Sequence, residues 1–193
     1  MRPRQPIISK WPEVPPLPET GVPVLIQAAI RPDRNSARKQ LRDILRKVLS
    51  QWMGCLAEAV TLKESDTGPI LENLIEGQNI NISLSYSGNQ GWISLQRGGK
   101  VGLDIMHAQS FPEMREIARH YLPPKSKKTM DEAEAPEIAF ALAWTEMEAR
   151  LKFSKKPLRE FCETTDFTPL NTHAFSLIQS DRLVVTVCSE CIT

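Results

Sequence analysis

The chain has 193 residues, and its 24 lysines and arginines nearly balance its 23 aspartates and glutamates. This balance argues against a nucleic-acid binder that works through bulk positive charge. No run of eighteen apolar residues is present, which argues against a membrane span. Apolar residues make up 41% of the sequence, enough for the core of one ordinary domain or two small lobes.

The first part of the chain predicts an arm, a strand and a long helix. Residues 1–23 contain seven prolines and predict an extended arm without a core of its own, which either packs on its own domain or binds a partner. An apolar run at residues 24–30 predicts the first strand. Asn35 or Ser36 then caps a helix that ends near Met53 and has one apolar and one basic face.

Short apolar and alternating segments in the middle of the chain predict strands at residues 59–62, 80–85, 91–96 and 100–105. We expect the last three to form an antiparallel meander, because a turn rich in glycine separates the final pair. A long helix followed by an antiparallel unit is typical of an α+β lobe.

The second half predicts two helices and a hairpin. A helix at residues 111–122 is stopped by two prolines, and a second helix covers residues 136–153. Between them, residues 125–134 are highly charged and predict an exposed mobile loop or a contact for an acidic partner. Segments 174–179 and 183–188 predict a β-hairpin.

Four cysteines are present, and two of them, Cys188 and Cys191, have C-x-x-C spacing. No second such pair and no pair of histidines accompanies them, so we interpret Cys188 as the end of a buried strand rather than as half of a zinc or redox site. The simplest setting is a reduced, cytoplasmic protein, since Arg2 and Arg4 are not followed by the apolar stretch of a secretory signal.

Two short segments carry most of the chemical information. The apolar run V-G-L-D-I-M at residues 101–106 contains one carboxylate, Asp104. Helical spacing in residues 144–152 places Trp144, Glu148 and Lys152 on one face. Two carboxylates and a lysine can hold Mg²⁺ together with a phosphate. The residues alone leave plainer roles open: Asp104 as a helix cap, and Glu148 with Lys152 as an ordinary surface ion pair.

These segments resemble the signature motifs of the 4′-phosphopantetheinyl transferases, which read roughly V-G-V-D-I-E and W-S-x-K-E-A-x-x-K. Further matches follow the family's order: an arginine-bearing helix at residues 36–42, T-G-P at 67–69 in place of G-K-P, S-Y-S-G at 85–88 in place of S-H-S-G, and residues 116–122 in place of its I-A-x-R segment. The resemblance covers about residues 22–190 and is to the two-lobe, monomeric branch.

The resemblance implies an α+β fold of two pseudo-symmetric lobes, each a small, mainly antiparallel sheet packed on a long helix. The lobes would be residues 24–100 and 101–193, following the arm at 1–23, with the site between them. It implies a monomeric, Mg²⁺-dependent enzyme that moves phosphopantetheine from coenzyme A (CoA) to a serine of an acyl or peptidyl carrier protein.

The resemblance also implies roles for individual residues. Asp104 and Glu148 would bind the metal, with Glu148 also the base for the carrier serine. Lys152 would take part in catalysis near the CoA phosphates, and the other CoA-binding residues would be Arg38, Ser85 and Tyr86.

The sequence departs from the family pattern at three positions that bear on activity. Met147 stands in place of the lysine before the motif glutamate, Tyr86 in place of the histidine, and the lysine of G-K-P is missing. Met106 also replaces an acid that many relatives have. These departures motivate a second hypothesis, a non-catalytic protein that binds CoA or a carrier. A third hypothesis is a structural subunit that uses its proline-rich arm to bind a partner.

Overall fold

The computed structural model describes residues 4–65, 68–72, 79–162 and 172–191. These residues form an α+β fold with nine strands, four α-helices and a short 3-10 helix at Ala57–Ala59. In chain order the strands and helices are β1 (Ile7–Lys10), β2 (Pro23–Ala29), α1 (Arg34–Met53), β3 (Leu62–Lys63), β4 (Ile70–Leu71), β5 (Ile80–Ser87), β6 (Gln90–Arg97), β7 (Val101–His107), α2 (Met114–Tyr121), α3 (Pro124–Glu132), α4 (Pro136–Phe153), β8 (Thr172–Ile178) and β9 (Leu183–Glu190).

The first sheet has the strand order β1-β2-β6-β5, with β1 parallel to β2 and the other neighbours antiparallel. Helix α1 buries its apolar face against this sheet, as the spacing of its apolar residues predicts. Its cap is Asp33 and not Asn35 or Ser36, because the Asp33 carboxylate accepts a hydrogen bond from the Ser36 backbone N–H at 2.9 Å. Gly54 ends the helix in the left-handed conformation.

The proline-rich arm is part of the first sheet's core. Strand β1 forms the sheet edge, and the side chains of Trp11, Val14 and Leu17 pack against the core that α1 covers. The indole N–H of Trp52 on α1 donates to the Pro15 carbonyl at 2.8 Å. The arm therefore packs on its own chain, one of the two alternatives that the sequence left open.

The prediction of a three-stranded meander from residues 80–85, 91–96 and 100–105 is wrong, because β7 does not belong to the first sheet. Strand β6 already has β2 and β5 as neighbours, so no edge of β6 remains for the strand at residues 101–107. Instead β7 pairs with β9 in a second antiparallel sheet of order β7-β9-β8. The predicted hairpin of β8 and β9 is confirmed.

The two sheets share an apolar core. Leu25 and Trp92 of the first sheet are fully buried against a cluster from the second sheet that includes Leu103 and Val185. Helix α4 packs on β7 and β9, and a third cluster joins α4 to α2 and α3. Among the residues described, no helix combines the length and the apolar composition needed to cross a membrane.

Three local predictions differ from the structure. Residues 57–59 form a 3-10 helix, so the strand predicted at 59–62 begins only at Leu62. The loop predicted at 125–134 is mostly helix α3, because Pro124 suits the first helical turn and Met130 is buried. The helix predicted from residue 111 begins at Met114, and the helix at 136–153 is confirmed.

Gly102 allows β7 to approach the backbone of α4. A Cβ atom at this position would lie 2.0 Å from the Ala149 carbonyl oxygen and 2.5 Å from the Phe153 nitrogen. Both are main-chain atoms in a packed helix, so neither can move aside alone. Gly102 therefore fixes how closely the strand that carries Asp104 packs on the helix that carries Glu148.

We expect Gly102→Ala to lower the free energy of unfolding by about 3 kcal/mol, because the added methyl group forces α4 away from the second sheet. Gly54→Ala is the matched control: Gly54 has φ +64° and nothing within 4 Å of an added Cβ, so only left-handed strain of about 1 kcal/mol is introduced. Urea unfolding of both variants would measure the difference. Equal losses would contradict the packing argument.

Candidate functional site

The side chain of Asp104 is the centre of a buried polar network. Asp104 is only 8% exposed and lies between the apolar residues Leu103 and Ile105 of β7. Its Oδ1 accepts a hydrogen bond from the Ser85 hydroxyl at 2.9 Å and an ion-paired one from Lys152 Nζ at 2.8 Å. A buried carboxylate is stable only with such partners, and here one comes from β5 and the other from α4.

Lys152 is fully engaged in this network. Besides Asp104, its ammonium donates to the Leu103 carbonyl at 3.0 Å and to the Ser85 hydroxyl at 3.4 Å. These contacts use all three of its N–H donors. Lys152 thus lies at the predicted site, where its charge neutralises Asp104.

Serine hydroxyls join the two sheets at this point. Strands β5 and β7 lie side by side, and the Leu103 and Ile105 backbone N–H groups donate to the hydroxyls of Ser83 at 2.9 Å and Ser85 at 3.3 Å. Ser85 therefore holds β7 in place and also contacts Asp104.

Glu148 lies close to this pair, one turn before Lys152 on α4. Burial raises the pKa of its carboxyl group above the ordinary value, the nearby charge of Asp104 raises it further, and Lys152 opposes both effects. The two carboxylates predicted from separate segments are thus near enough to repel each other. A cation bound between them would relieve that repulsion.

A cleft of 890 Å³ opens beside this network. It brings together five of the six site residues that the sequence predicts, and Asp104 lies behind its wall. Those lining residues are Arg38 from α1, Ser85 and Tyr86 from β5, and Glu148 and Lys152 from α4.

The cleft also contains cations that the sequence interpretation assigned to solvent or did not consider. Arg42 faces the cleft and forms a bidentate ion pair with Glu64, with both N–O distances at 2.5 Å. Lys155 and Lys156 line the cleft just beyond the end of α4. The sequence could have indicated these cations. Arg42 follows Arg38 by one helical turn, and Lys155 and Lys156 follow Lys152 within four residues.

Three of the four residues or positions that depart from the family pattern, Met147, Met106 and Tyr86, have different structural settings. Met147 is 7% exposed and packs in the apolar cluster of α2, α3 and α4, so it points away from the cleft. Met106 packs against the same cluster. Tyr86 lines the cleft but brings no positive charge of its own.

The residues present fit a Mg²⁺ ion that is bound jointly with phosphate. In the described part of the chain no hydrogen bond reaches Asp104 Oδ2, and no cluster of three or more possible metal ligands occurs. Mg²⁺ typically takes one or two carboxylates and completes its octahedron with water and phosphate oxygens. Asp104 and Glu148 could provide those carboxylates, and metal binding would then depend on the phosphate ligand.

Glu146, Trp144 and Cys188 do not line the cleft. Glu146 pairs with Arg150 at 2.7 Å on another face of α4, and Trp144 packs against Tyr121 and Phe140. Cys188 is buried with a free thiol, and burial raises the pKa of this thiol to about 12, so it stays protonated and unreactive.

A scan against protein-family models finds no match for this chain, and a search of the curated proteins finds none either.

We expect Lys152→Met to lower the free energy of unfolding by about 3 kcal/mol, because it leaves the buried Asp104 carboxylate without its counter-ion. Adding Asp104→Asn should restore much of that loss. Lys156→Met is the control, since Lys156 is exposed at the same cleft. Denaturant unfolding of these three variants and of Asp104→Asn alone tests this, and strictly additive losses would argue against the ion pair.

The pKa of Glu148 predicts a pH-dependent effect of Glu148→Gln on stability. Because the folded-state pKa is raised above the ordinary glutamate value of 4.5, the folded protein binds the proton more tightly than the unfolded chain. Stability is therefore lost as the pH rises from 4.5 through the raised value. Without added metal, the gain in melting temperature from Glu148→Gln should be larger at pH 7 than at pH 4.

The exposed Glu134, changed to glutamine, is the control for that measurement. Equal gains from Glu148→Gln at both pH values would contradict a raised pKa.

Proposed function

We propose that this protein is a Mg²⁺-dependent 4′-phosphopantetheinyl transferase, which transfers phosphopantetheine from CoA to a serine of an acyl or peptidyl carrier protein. The observation that carries the proposal is the convergence of the motif residues. Asp104 and Glu148 come from segments forty residues apart, and their carboxylates interact beside a cleft that Arg38, Ser85, Tyr86 and Lys152 also line.

The proposal includes the two-lobe form of the fold, with lobes at residues 24–100 and 101–193. In support, α1 packs on the first sheet and α4 on the second. The cleft is lined by residues of α1, β5 and α4, so it lies where those two halves meet.

The charges of the cleft suit a ligand with several phosphates. Arg42 and Lys152 form ion pairs with carboxylates, whereas Arg38, Lys155 and Lys156 form none among the described residues, although the charge of Arg38 also acts on Glu64. Phosphoryl transfer needs positioning and charge neutralisation more than covalent chemistry from the protein. Bound Mg²⁺ would neutralise charge on the CoA diphosphate.

In the proposed reaction the serine hydroxyl oxygen of the carrier attacks the β-phosphorus of CoA. The bond from that phosphorus to the bridging oxygen breaks, and adenosine 3′,5′-bisphosphate leaves with the electron pair. Glu148 accepts the serine proton, directly or through water. Its raised pKa makes it a stronger base than a solvated glutamate.

A second candidate is a non-catalytic protein that binds CoA or a carrier. One observation favours it. The Lys152 ammonium forms an ion pair with the Asp104 carboxylate, and its three N–H donors are all used in hydrogen bonds within the protein. A fixed ion pair of this kind competes with a metal at the same carboxylate. The arm-binding hypothesis has less support, because Trp11, Val14 and Leu17 are already packed on the chain's own core.

The test is incubation with CoA, Mg²⁺ and a panel of apo carrier proteins, followed by mass spectrometry of the carriers. We expect the mass gain of one phosphopantetheine group on at least one carrier. Excess chelator, Asp104→Asn or Glu148→Gln should reduce the rate by about 10²-fold or more, because charge stabilisation or the base is lost.

Glu146→Gln is the matched control, since Glu146 lies on the same helix outside the cleft. CoA binding without any mass gain across the panel would favour the non-catalytic candidate. Transfer that persists in Asp104→Asn/Glu148→Gln would rule out the proposed centre.

A further inference from the structure

Strand β8 is an exposed edge of the second sheet. In the part of the chain that the structure describes, the sheet order β7-β9-β8 leaves it paired on one side only, with β9. None of its seven residues is buried, and Ile178 at its end is 48% exposed. An edge strand of this kind presents a row of backbone N–H and C=O groups to which another strand can bind.

The other outer strands of the two larger sheets are protected in ways that β8 is not. Strands β5 and β7 lie side by side, and serine hydroxyls of β5 accept hydrogen bonds from the backbone of β7. Strand β1 has only four residues, ends in Lys10 and is followed by Pro12. Short length, lysine and proline are common means of protecting a sheet edge. Strand β8, with the sequence T-H-A-F-S-L-I, has no lysine, arginine, acidic residue or proline.

The hydrogen bond that closes the β8–β9 hairpin indicates which backbone groups of β8 face outward. The Gln179 N–H donates to the Leu183 carbonyl at 2.9 Å, so the backbone groups of Gln179 point toward β9. Successive residues of an antiparallel strand direct their backbone groups to alternate sides. The residues of β8 that direct them to the open edge therefore include Ala174, Ser176 and Ile178.

Strand β8 is complementary to a second copy of itself. When two copies run antiparallel in full overlap, Phe175 lies opposite its own copy, and Ala174 lies opposite Ser176 with both backbones facing inward. Aromatic pairs across strands are stabilising. No like charges face each other, because His173, the one titratable residue of β8, lies opposite Leu177.

The charges beside the two ends of β8 suit the same arrangement. At one end Arg150 pairs with Glu146 and contacts the Thr172 hydroxyl. At the other end Arg182 pairs with Glu137. In an antiparallel pair each end lies beside the opposite end of the other copy, so two neutralised ion pairs meet. This charge balance favours a second copy over a strongly charged partner.

We propose that β8 is a docking surface for a second copy of this chain, with the two copies of β8 paired antiparallel about a two-fold axis at Phe175. The two second sheets then form one six-stranded antiparallel sheet of order β7-β9-β8-β8-β9-β7. The inference is independent of the proposed function, and it differs from the monomer that the motif resemblance implies. Because one strand edge is a small contact, we expect a dimer that dissociates at micromolar concentrations.

The first experiment uses the unaltered chain. Sedimentation equilibrium over about a hundredfold range of protein concentration should show the mass rising from one chain toward two. Amide hydrogen exchange should slow with concentration at Ala174, Ser176 and Ile178, and stay unchanged at Phe175 and Leu177, whose N–H groups already point toward β9. A monomer at every concentration would overturn the proposal, and so would a dimer whose slowed amides lie outside β8.

Two isoleucines provide matched variants. Ile178→Lys adds a charge to β8, and Ile8→Lys adds the same charge to β1, where the isoleucine is 46% exposed against 48% for Ile178. In the dimer the lysine at position 178 lies opposite Thr172 of the other copy and beside Arg150. We therefore expect Ile178→Lys to weaken dimerisation about tenfold or more, and Ile8→Lys to leave it unchanged.

Melting temperatures measured at concentrations where the chain is monomeric check that both variants fold. Dimerisation that a folded Ile178→Lys variant retains in full would overturn the proposal. Dimerisation that Ile8→Lys alone abolishes would assign the interface to β1 and overturn it as well. Should either variant fail to fold, the hydrogen exchange of the unaltered chain decides the question by itself.

Discussion

The burial of one negative charge constrains the whole site. Asp104 lies in an apolar strand of the second sheet, and its compensation comes from Ser85 of the first sheet and Lys152 of α4. The same Ser85 hydroxyl accepts a hydrogen bond from β7, so the contact that satisfies the carboxylate also aligns the two sheets. Because an uncompensated buried charge is costly, the fold and the candidate site depend on the same few atoms.

Much of the local structure could be predicted from the sequence, because the signals are local. The apolar face of α1, the proline that begins α4 and the alternating strands of the C-terminal hairpin each lie within a short window. The proximity of Asp104 and Glu148 was predicted only through the motif resemblance, and the raised pKa of Glu148 agrees with it. The prediction of a loop at residues 125–134 was wrong. Burial of Met130 stabilises helix α3 there despite the charged composition of the segment.

The pairing of the strands and the identity of the cations that line the cleft could not be predicted from local sequence. Nothing near residues 101–107 indicates that β7 pairs with β9 rather than β6, because that choice is made by β2, which occupies the other edge of β6. Likewise, the basic face of α1 gives no sign of which arginines face solvent. Arg38 and Arg42 line the cleft because β5 and the segment that contains Glu64 pack beside the helix at those positions. Strand pairing and the lining of the cleft depend on contacts between residues far apart in the sequence, which a short segment does not reveal.

The order of the strands along the chain has a consequence for synthesis. Every strand of the first sheet lies within residues 7–97, so a chain emerging from the ribosome contains all of that sheet before β7 is made. Strand β7 pairs with β9, which is made only after α2, α3, α4 and β8, and until then the backbone of β7 lacks this hydrogen-bonded partner strand. A nascent chain at this stage exposes an unpaired strand edge. Such an edge is prone to aggregation, which chaperones prevent. Asp104, which lies in β7, therefore reaches its final surroundings only after β9 has been made.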